Sequence, residues 1–218
     1  MPYLLHHYLG LLLLPLLSLG LYSGDEDYYD FSGGELQNEA HASFYKWFSI
    51  ARQMRIDIHS VRDEQFARDF AGMRNMSDFD HQRIETPLLG FSDGCLPFDF
   101  KPQKCVQQIY TGLRVYQAYL PYVDNGTSSR IPEIKVGMAR LLGLIKGTGN
   151  VHDVEVHPAF LRDLVSGTQW RKKTVTHSIL YNFVNFMIVT SRAINYMKAK
   201  KLMKHAVKED KWLSKHVH

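Results

Sequence analysis

Apolar side chains recur along four segments of this chain at alternating spacings of three and four residues, which keeps one helix face apolar. The predicted helical segments, A to D, cover residues 35–70, 105–123, 132–146 and 166 onward. The predicted inner faces hold Phe44, Trp47, Ala51, Met54, Ile58 and Val61 in A; Val106, Ile109, Leu113, Tyr116, Leu120 and Val123 in B; Ile134, Met138, Leu141 and Ile145 in C; and Ile179, Phe183, Phe186, Thr190, Ala193 and Met197 in D. No segment shows the two-residue alternation of a half-buried strand, so the pattern predicts an all-α fold.

The lengths of the connections predict how the four helices are arranged. About thirty residues separate A from B, about nine separate B from C, and about twenty separate C from D. Long connections are expected where two consecutive helices run parallel, because the chain must return along a helix of about 30–35 Å. The order long, short, long predicts a long-chain four-helix bundle with up-up-down-down topology.

The start of the chain has the pattern of a secretory leader. Residues 9–21 are almost entirely apolar and are followed by the acidic run Asp25-Glu26-Asp27. This run is shorter than the roughly 20 apolar residues needed to span a bilayer. We therefore interpret residues 1–24 as a signal peptide and expect a secreted, extracellular protein that does not insert into a membrane. The alternative interpretation is a buried N-terminal helix.

Composition adds one feature, the uneven distribution of charge. The chain has 218 residues, 45% of them hydrophobic, and a formal net charge of +4, which fits one globular domain. Residues 198–218 contain seven lysines and two acids, so the remainder has 19 basic and 20 acidic residues and a net charge of −1. We assign residues 25–197 to the helical domain and 198–218 to a basic extension, either helical or disordered. It is a candidate for binding anionic glycosaminoglycans, or is merely a solvated end.

The only two cysteines lie ten residues apart, at Cys95 and Cys105. Outside the cell such a pair is normally oxidised, and closing this loop stabilises the fold by roughly 2–3 kcal/mol. Two free thiols or half of a metal site are the alternatives. The loop also holds Leu96, Phe98 and Phe100, which either pack on the bundle or are offered to a partner.

Other motifs are few. Asn75-Met76-Ser77 and Asn125-Gly126-Thr127 are acceptor sequences for N-linked glycans in predicted loops. The patterns HExxH, GxxxxGK and CxxC are absent. We therefore predict no enzymatic activity, no cofactor, no metal site and no nucleic-acid partner.

Two blocks of sequence resemble the interleukin-6 family. The first is DGCLPFDFKPQKCVQQIYTGLRVYQAYLPYV, with its Asp-Gly-Cys opening, ten-residue step to the second cysteine, and following Thr-Gly-Leu and Tyr-Leu. The second begins at Trp170 and continues through TVTHSILYNFVNFMIVTSRAINYM to Met197. Together they cover about sixty residues in a fixed order, and the single cysteine pair is similar to fish members of the family.

The resemblance implies a secreted cytokine that assembles a ligand-specific receptor subunit and a shared signal-transducing subunit. The expected outcome is JAK-STAT signalling in immune, inflammatory and acute-phase responses. The alternatives are another long-chain helical cytokine of the same superfamily with different receptors, or a secreted helical carrier of a lipid or other small ligand.

The resemblance also implies which residues contact the receptors. Phe100 in the loop, with Arg192 and Met197 on the last helix, matches positions that face the ligand-specific subunit. Leu96 is assigned to the same contact, although it replaces an aromatic residue that the family has next to the first cysteine. Trp170 matches a tryptophan that faces the shared subunit. Each has a simpler interpretation, because Phe100 and Met197 also fit the core and Arg192 also fits a solvated surface.

Overall fold

The computed structural model describes residues 35–73, 84–124, 128–148, 150–156 and 167–216. All of them belong to one compact unit, Gly33–His218. The proposed signal peptide and the glycan acceptors Asn75 and Asn125 lie outside these ranges, so they stay predictions.

Four α-helices form the described part of the chain. They are α1 (Glu35–Asp69), α2 (Pro102–Val123), α3 (Arg130–Thr148) and α4 (Gln169–His216), with short 3-10 turns at Phe91–Asp93 and Pro97–Asp99. No β-strand occurs within these ranges, which confirms the all-α prediction.

Three helices begin at residues other than those predicted. Helix α2 begins three residues before Cys105, because Pro102 lacks the N–H that a first turn leaves unpaired and has a preset φ. Helix α3 begins two residues before Pro132. Helix α4 begins three residues after the predicted start and continues through the basic extension to His216, so of the two possibilities left open for the extension the structure has the helical one.

Contacts between the helices fix the topology. Helix α1 and helix α2 each pack against α3 and α4. The pairs that fix the directions are Gln65–Lys173 and Tyr45–Lys198 for α1 with α4, Tyr116–Phe183 and Tyr122–Lys172 for α2 with α4, and Arg130–Asp57 and Met54–Gly137 for α1 with α3. In each pair of helices, an early residue of one meets a late residue of the other. Helix α4 is therefore antiparallel to α1 and α2, helix α3 is antiparallel to α1, and the up-up-down-down prediction is confirmed.

The core follows the predicted inner faces closely. Every residue predicted for those faces is buried, except Phe44, which is half-buried and contacts Trp47 edge to face. At the centre, the Tyr116 ring stacks on Phe183 at a centroid distance of 4.1 Å, and Phe186 packs beside it at 5.2 Å. Aromatic side chains from α2 and α4 thus fill the middle of the bundle.

Two recesses bear on the carrier alternative. One, beside Gln65 and Leu180, has a volume of about 10 Å³, which is about the space of one water molecule. The other, about 260 Å³, lies between α1 and α4 at Ile56, which is 45% exposed. The first is too small for a ligand and the second is a groove on the surface, so neither is an internal cavity of the kind a carrier needs.

Close contact between α2 and α4 depends on Gly112. A Cβ atom at this position would overlap the ring of Phe186 and would lie 3.3 Å from Cβ of Pro87. Gly112→Ala is expected to lower the free energy of unfolding by about 1–2 kcal/mol, because overpacking outweighs the gain in helix propensity of about 1 kcal/mol. Urea denaturation measures the change.

Gly143→Ala is the matched control for Gly112→Ala. Gly143 is also helical, but no atom lies within 4 Å of the position its Cβ would take. The control is expected to stabilise the protein by about 0.5–1 kcal/mol. Equal effects at the two positions would contradict the close contact at Gly112.

Buried tyrosines predict that the fold weakens at alkaline pH. Burial raises the pKa of Tyr116, Tyr119 and Tyr122 above the usual value. Because these pKa values are higher in the folded than in the unfolded chain, the protonated hydroxyls stabilise the fold fully below about pH 10. This stabilisation is lost as the pH rises further. Tyr116 is fully buried, and its hydroxyl donates to the Pro87 carbonyl at 2.8 Å.

Tyr116→Phe separates the two effects of this hydroxyl. Near pH 7 the variant should be about 1 kcal/mol less stable, because the Pro87 carbonyl loses its donor. Above pH 10 its free energy of unfolding should fall less steeply than that of the parent, by up to about 1.4 kcal/mol per pH unit. Denaturant titrations between pH 7 and 11.5 test this, and parallel curves would contradict it.

Candidate functional site

The loop before α2 is closed by the predicted disulfide. Cys95 and Cys105 are bonded, with their Cα atoms 4.8 Å apart, and both are buried. Gly94 precedes the bridge in a left-handed conformation with φ of 69°, and its carbonyl accepts a hydrogen bond from the Lys101 N–H at 2.9 Å. A side chain at Gly94 would be strained and would meet Cβ of Lys101 at 2.8 Å. The disulfide prediction is confirmed, and the loop is held at both ends.

Phe100 joins this loop to the distal part of α4. Its ring meets Tyr196 edge to face at 4.7 Å, and Lys200 Nζ lies 5.8 Å from the centre of the Phe100 ring. Phe100 is half-buried against the core, and Leu96 is also half-buried. Phe100 therefore fits both interpretations of the loop residues, packing on the bundle and contact with a partner, since part of the ring supports the bundle and part remains accessible.

Arg192 and Met197 have different positions on α4. Arg192 is exposed and precedes Tyr196 by four residues and Lys200 by eight, a spacing that places all three on one helix face. Met197 is only 6% exposed and belongs to the core cluster. Its predicted receptor contact does not fit this buried position, because Met197 continues the inner stripe of the helix.

We call Leu96, Phe100, Arg192, Tyr196 and Lys200 the loop–helix surface. Sequence reasoning did not single out Tyr196. The available signal was its four-residue spacing from Arg192, but its partner Phe100 is nearly one hundred residues away in the chain, and periodicity carries no information about such a pairing.

Trp170 lies in the first turn of α4. Its ring meets the buried ring of Phe70 edge to face at 5.4 Å, while the residue stays 38% exposed. Phe66 and His177 pack with Phe70 and complete an aromatic cluster between α1 and α4. Trp170 is thus a supported aromatic residue with an accessible face.

A polar network lies next to this cluster. His177 Nδ1 and Gln65 Oε1 are 2.8 Å apart, and Gln65 Nε2 donates to the Lys173 carbonyl and to Asp69 Oδ2. Burial acts to raise the pKa of Asp69, but hydrogen bonds from Arg68 and Gln65 outweigh it and hold the pKa below its usual value. These contacts fix the start of α4 against the end of α1, where Trp170 is attached.

The connection after α3 is fastened to α2 by side chains. Gln107 exchanges hydrogen bonds with the backbone of His152, at 3.0 and 2.8 Å. Asp153 accepts from Tyr110 and from Lys146, both at 2.5 Å. The Lys146 hydrogen bond lowers the pKa of Asp153, and the hydrogen bond to Asp153 raises the pKa of Tyr110. The pairs act as structural contacts between α2, α3 and the connection.

The loop–helix surface and Trp170 lie far apart along α4. Arg192 follows Trp170 by 22 residues, which corresponds to about 33 Å at 1.5 Å per residue. Exposed aromatic and cationic side chains therefore occur at two separate places on one continuous rigid helix.

Two further features concern the described residues alone. Within those ranges, no group of three or more His, Cys, Asp or Glu side chains is arranged to hold a metal ion. No helix in the described parts of the chain is long and apolar enough to cross a membrane.

These features define a long-chain helical bundle of the cytokine type, and comparisons with known proteins agree. The model of the Interleukin-6/G-CSF/MGF family matches residues 40–197. The chain therefore belongs to this family, which is a family of cytokines and not of enzymes. The resemblance in the two sequence blocks and the prediction of a non-enzymatic protein are both confirmed.

Curated relatives are similar at modest identity over most of the chain. Interleukin-6 of Oncorhynchus mykiss is 27% identical over 161 residues, covering 70% of this chain and 73% of the relative. Interleukin-6 of Gallus gallus is 26% identical over 158 residues, covering 68% and 66%. Interleukin-6 of Bos taurus is 24% identical over 153 residues, covering 67% and 73%.

Proposed function

We propose that this protein is a secreted cytokine that signals by bringing receptor subunits together. Its loop–helix surface binds the ligand-specific subunit, and the exposed face of Trp170 binds the shared signal-transducing subunit. The assembled receptors activate JAK-STAT signalling in immune, inflammatory and acute-phase responses. Membership of the family supports the class of function, and the two separated surfaces support the mechanism.

The observation that carries this proposal is the distance of about 33 Å between Arg192 and Trp170 along α4. A standard protein interface buries about 800 Å² on each partner, a patch about 30 Å across. Two interfaces of this size, one for each receptor subunit, therefore fit along α4 without overlapping. A rigid helix between the two contacts also holds the subunits at a fixed separation.

The side chains at the two surfaces suit protein recognition. Aromatic and arginine side chains dominate the energetics of protein interfaces, since they combine a large contact area with directed hydrogen bonds. Arg192 is exposed and can form a two-pronged pair with a carboxylate of the ligand-specific subunit. Trp170 is held against Phe70, so little side-chain entropy is lost when its exposed part is covered.

The test measures binding to each purified subunit separately. Arg192→Glu should weaken binding to the ligand-specific subunit alone, and Trp170→Ala should weaken binding to the shared subunit alone, each by tenfold or more. Val136→Ala is the control, because Val136 is 58% exposed on α3 and is assigned to neither surface.

Responsive cells provide the second measurement. Phosphorylation of the STAT transcription factor should be lost with either variant and kept with Val136→Ala. A full response from the double variant Trp170→Ala with Arg192→Glu would refute the proposed mechanism.

We also propose that the basic extension binds glycosaminoglycans. The backbone of α4 stays helical to His216, and five lysines of the extension recur at the three- and four-residue spacing of one helix face. They are Lys201, Lys204, Lys208, Lys211 and Lys215. The full chain should elute from heparin at higher salt than a chain truncated after Met197, and equal elution would remove this proposal.

Processing in the secretory pathway is the last part of the proposal. We propose that residues 1–24 are removed and that Asn75 and Asn125 carry N-linked glycans. Intact-mass measurement before and after glycosidase treatment of protein from eukaryotic cells tests each site, with Asn75→Gln and Asn125→Gln as controls. An unchanged mass after treatment would contradict occupancy.

A further inference from the structure

Two phenylalanines beside the disulfide loop are unusually exposed. Phe91 is 75% exposed and Phe98 is 71% exposed, although their rings contact each other at a centroid distance of 5.6 Å. This contact, with the ring planes tilted by 40°, leaves most of the apolar area of both rings in water, which is unfavourable by about 25 cal/mol for each Å². The fold does not use these rings in its core, so their exposure requires another explanation.

Both rings are held by the local backbone. Phe91 begins the first 3-10 turn, which is closed by the Gly90 N–H donating to Asp93 Oδ2 at 2.6 Å. Phe98 lies in the second 3-10 turn, which starts at Pro97. The disulfide ties the two turns to the start of α2, so the pair is already ordered before any partner arrives, and binding loses little conformational entropy.

The aromatic pair is continuous with the loop–helix surface. Phe98 precedes Phe100 by two residues in a loop whose ends are pinned, and Phe100 contacts Tyr196. Lys200 Nζ of α4 in turn approaches both the Phe100 and Tyr196 rings. The aromatic pair is therefore linked through Phe100 to a cationic group of the loop–helix surface.

The carboxylates close to the pair are already engaged. Asp99 Oδ2 accepts from Lys101 Nζ at 2.9 Å, and Asp93 Oδ2 accepts from the Gly90 N–H. The positive charges of Lys200 and Arg192 are not balanced by these acids. An apolar centre with a cationic side fits a partner with an apolar pocket and an acidic rim.

We propose that Phe91 and Phe98 are the aromatic anchor of the contact with the ligand-specific receptor subunit, and that they fill an apolar pocket flanked by carboxylates on that subunit. This inference rests on the proposed function and adds to it two residues that the resemblance does not match to a receptor contact. It also divides the contact into two parts, an apolar part at Phe91 and Phe98 and a charged part at Arg192 and Lys200.

The test uses the full disulfide-bonded chain and the purified ligand-specific subunit. Phe91→Ala with Phe98→Ala should lower the affinity by about 30-fold or more, the range of an interface hot spot, with little change in thermal stability. Phe98→Tyr keeps the ring and should retain most of the affinity, while Phe98→Lys should not. Tyr181→Ala removes an aromatic side chain that is 44% exposed and lies 15 residues before Tyr196 on α4, and should bind the ligand-specific subunit like the parent.

Salt dependence separates the two parts of the contact. The loss caused by the double alanine variant should be the same factor at 50 and at about 300 mM salt, because burial of apolar area is not screened. The loss caused by Arg192→Glu should shrink as salt rises. This pattern supports the inference.

Other outcomes overturn it in distinguishable ways. Unchanged affinity of the double alanine variant, together with a loss for Phe100→Ala or Arg192→Glu, rejects the anchor and leaves the proposed function intact. Loss of self-association in sedimentation with unchanged receptor affinity assigns the pair to a second copy of the chain and rejects the inference. Loss of binding to phosphatidylcholine–phosphatidylserine vesicles with unchanged receptor affinity assigns the pair to a lipid surface and also rejects it. A parent chain that binds neither receptor subunit rejects the proposed function and the inference together.

Discussion

Replacing Phe183 with alanine is expected to lower the free energy of unfolding by about 4 kcal/mol. Phe183 is 1% exposed, and its ring lies parallel to Tyr116 at a centroid distance of 4.1 Å. The substitution removes a buried ring and leaves a cavity at the centre of the bundle, where α2 and α4 are held in place by close packing. Equilibrium unfolding in guanidinium chloride, followed by circular dichroism, measures the change.

Tyr181→Ala is the matched control for Phe183→Ala. It removes an aromatic side chain of similar size from the same helix, two residues away, but Tyr181 is 44% exposed. Its effect on the free energy of unfolding should stay below about 1 kcal/mol. Similar losses for the two variants would show that the loss comes from the helix and not from the aromatic core.

The core was predictable because burial repeats with the period of the helix. Helices α1 to α4 each place one stripe against their neighbours, and a stripe at spacings of three and four is visible in any single sequence. The one partial exception, Phe44, lies in the early turns of α1, and its ring is covered on one side by Trp47.

The end of α4 was not predictable from hydrophobicity. The apolar stripe stops at Met197, but its three- and four-residue spacing continues through Lys201, Lys204 and Lys208. Beyond Met197, lysines thus take the sequence positions that apolar residues hold in the earlier turns of the helix. Because periodicity reports burial and not helicity, the pattern left the helical and the disordered extension equally open.

The candidate surfaces were predictable only in part. Trp170 and Arg192 are exposed in the structure, and their positions had been indicated by resemblance. The contact of Phe100 with Tyr196 and the pairing of Phe91 with Phe98 depend on how the stapled loop lies, and no local pattern encodes that arrangement. For Met197 the resemblance indicates a receptor contact, but the residue lies on the buried side of its helix.

Removing the disulfide is expected to have the second large effect, on both stability and receptor binding. Cys95→Ala with Cys105→Ala releases a loop closed over ten residues, which should lower the free energy of unfolding by roughly 2–3 kcal/mol. Alanine is preferable to serine here, because both cysteines are buried and a hydroxyl would lack a partner. Denaturant titration of the variant against the parent measures the loss.

The same variant tests whether the loop must be held in place for receptor recognition. Without the bridge, Phe91, Phe98 and Phe100 have to be ordered when the ligand-specific subunit binds, so the affinity for that subunit should fall by tenfold or more. The affinity for the shared subunit should be unchanged, because Trp170 is held by Phe70 and not by the loop. The parent with its disulfide reduced should behave like the variant, which separates the loss of the bridge from the change of side chains. If stability and both affinities survive reduction, the loop does not require the bridge, and the packing of Phe100 against Tyr196 and the core is enough to hold it in place.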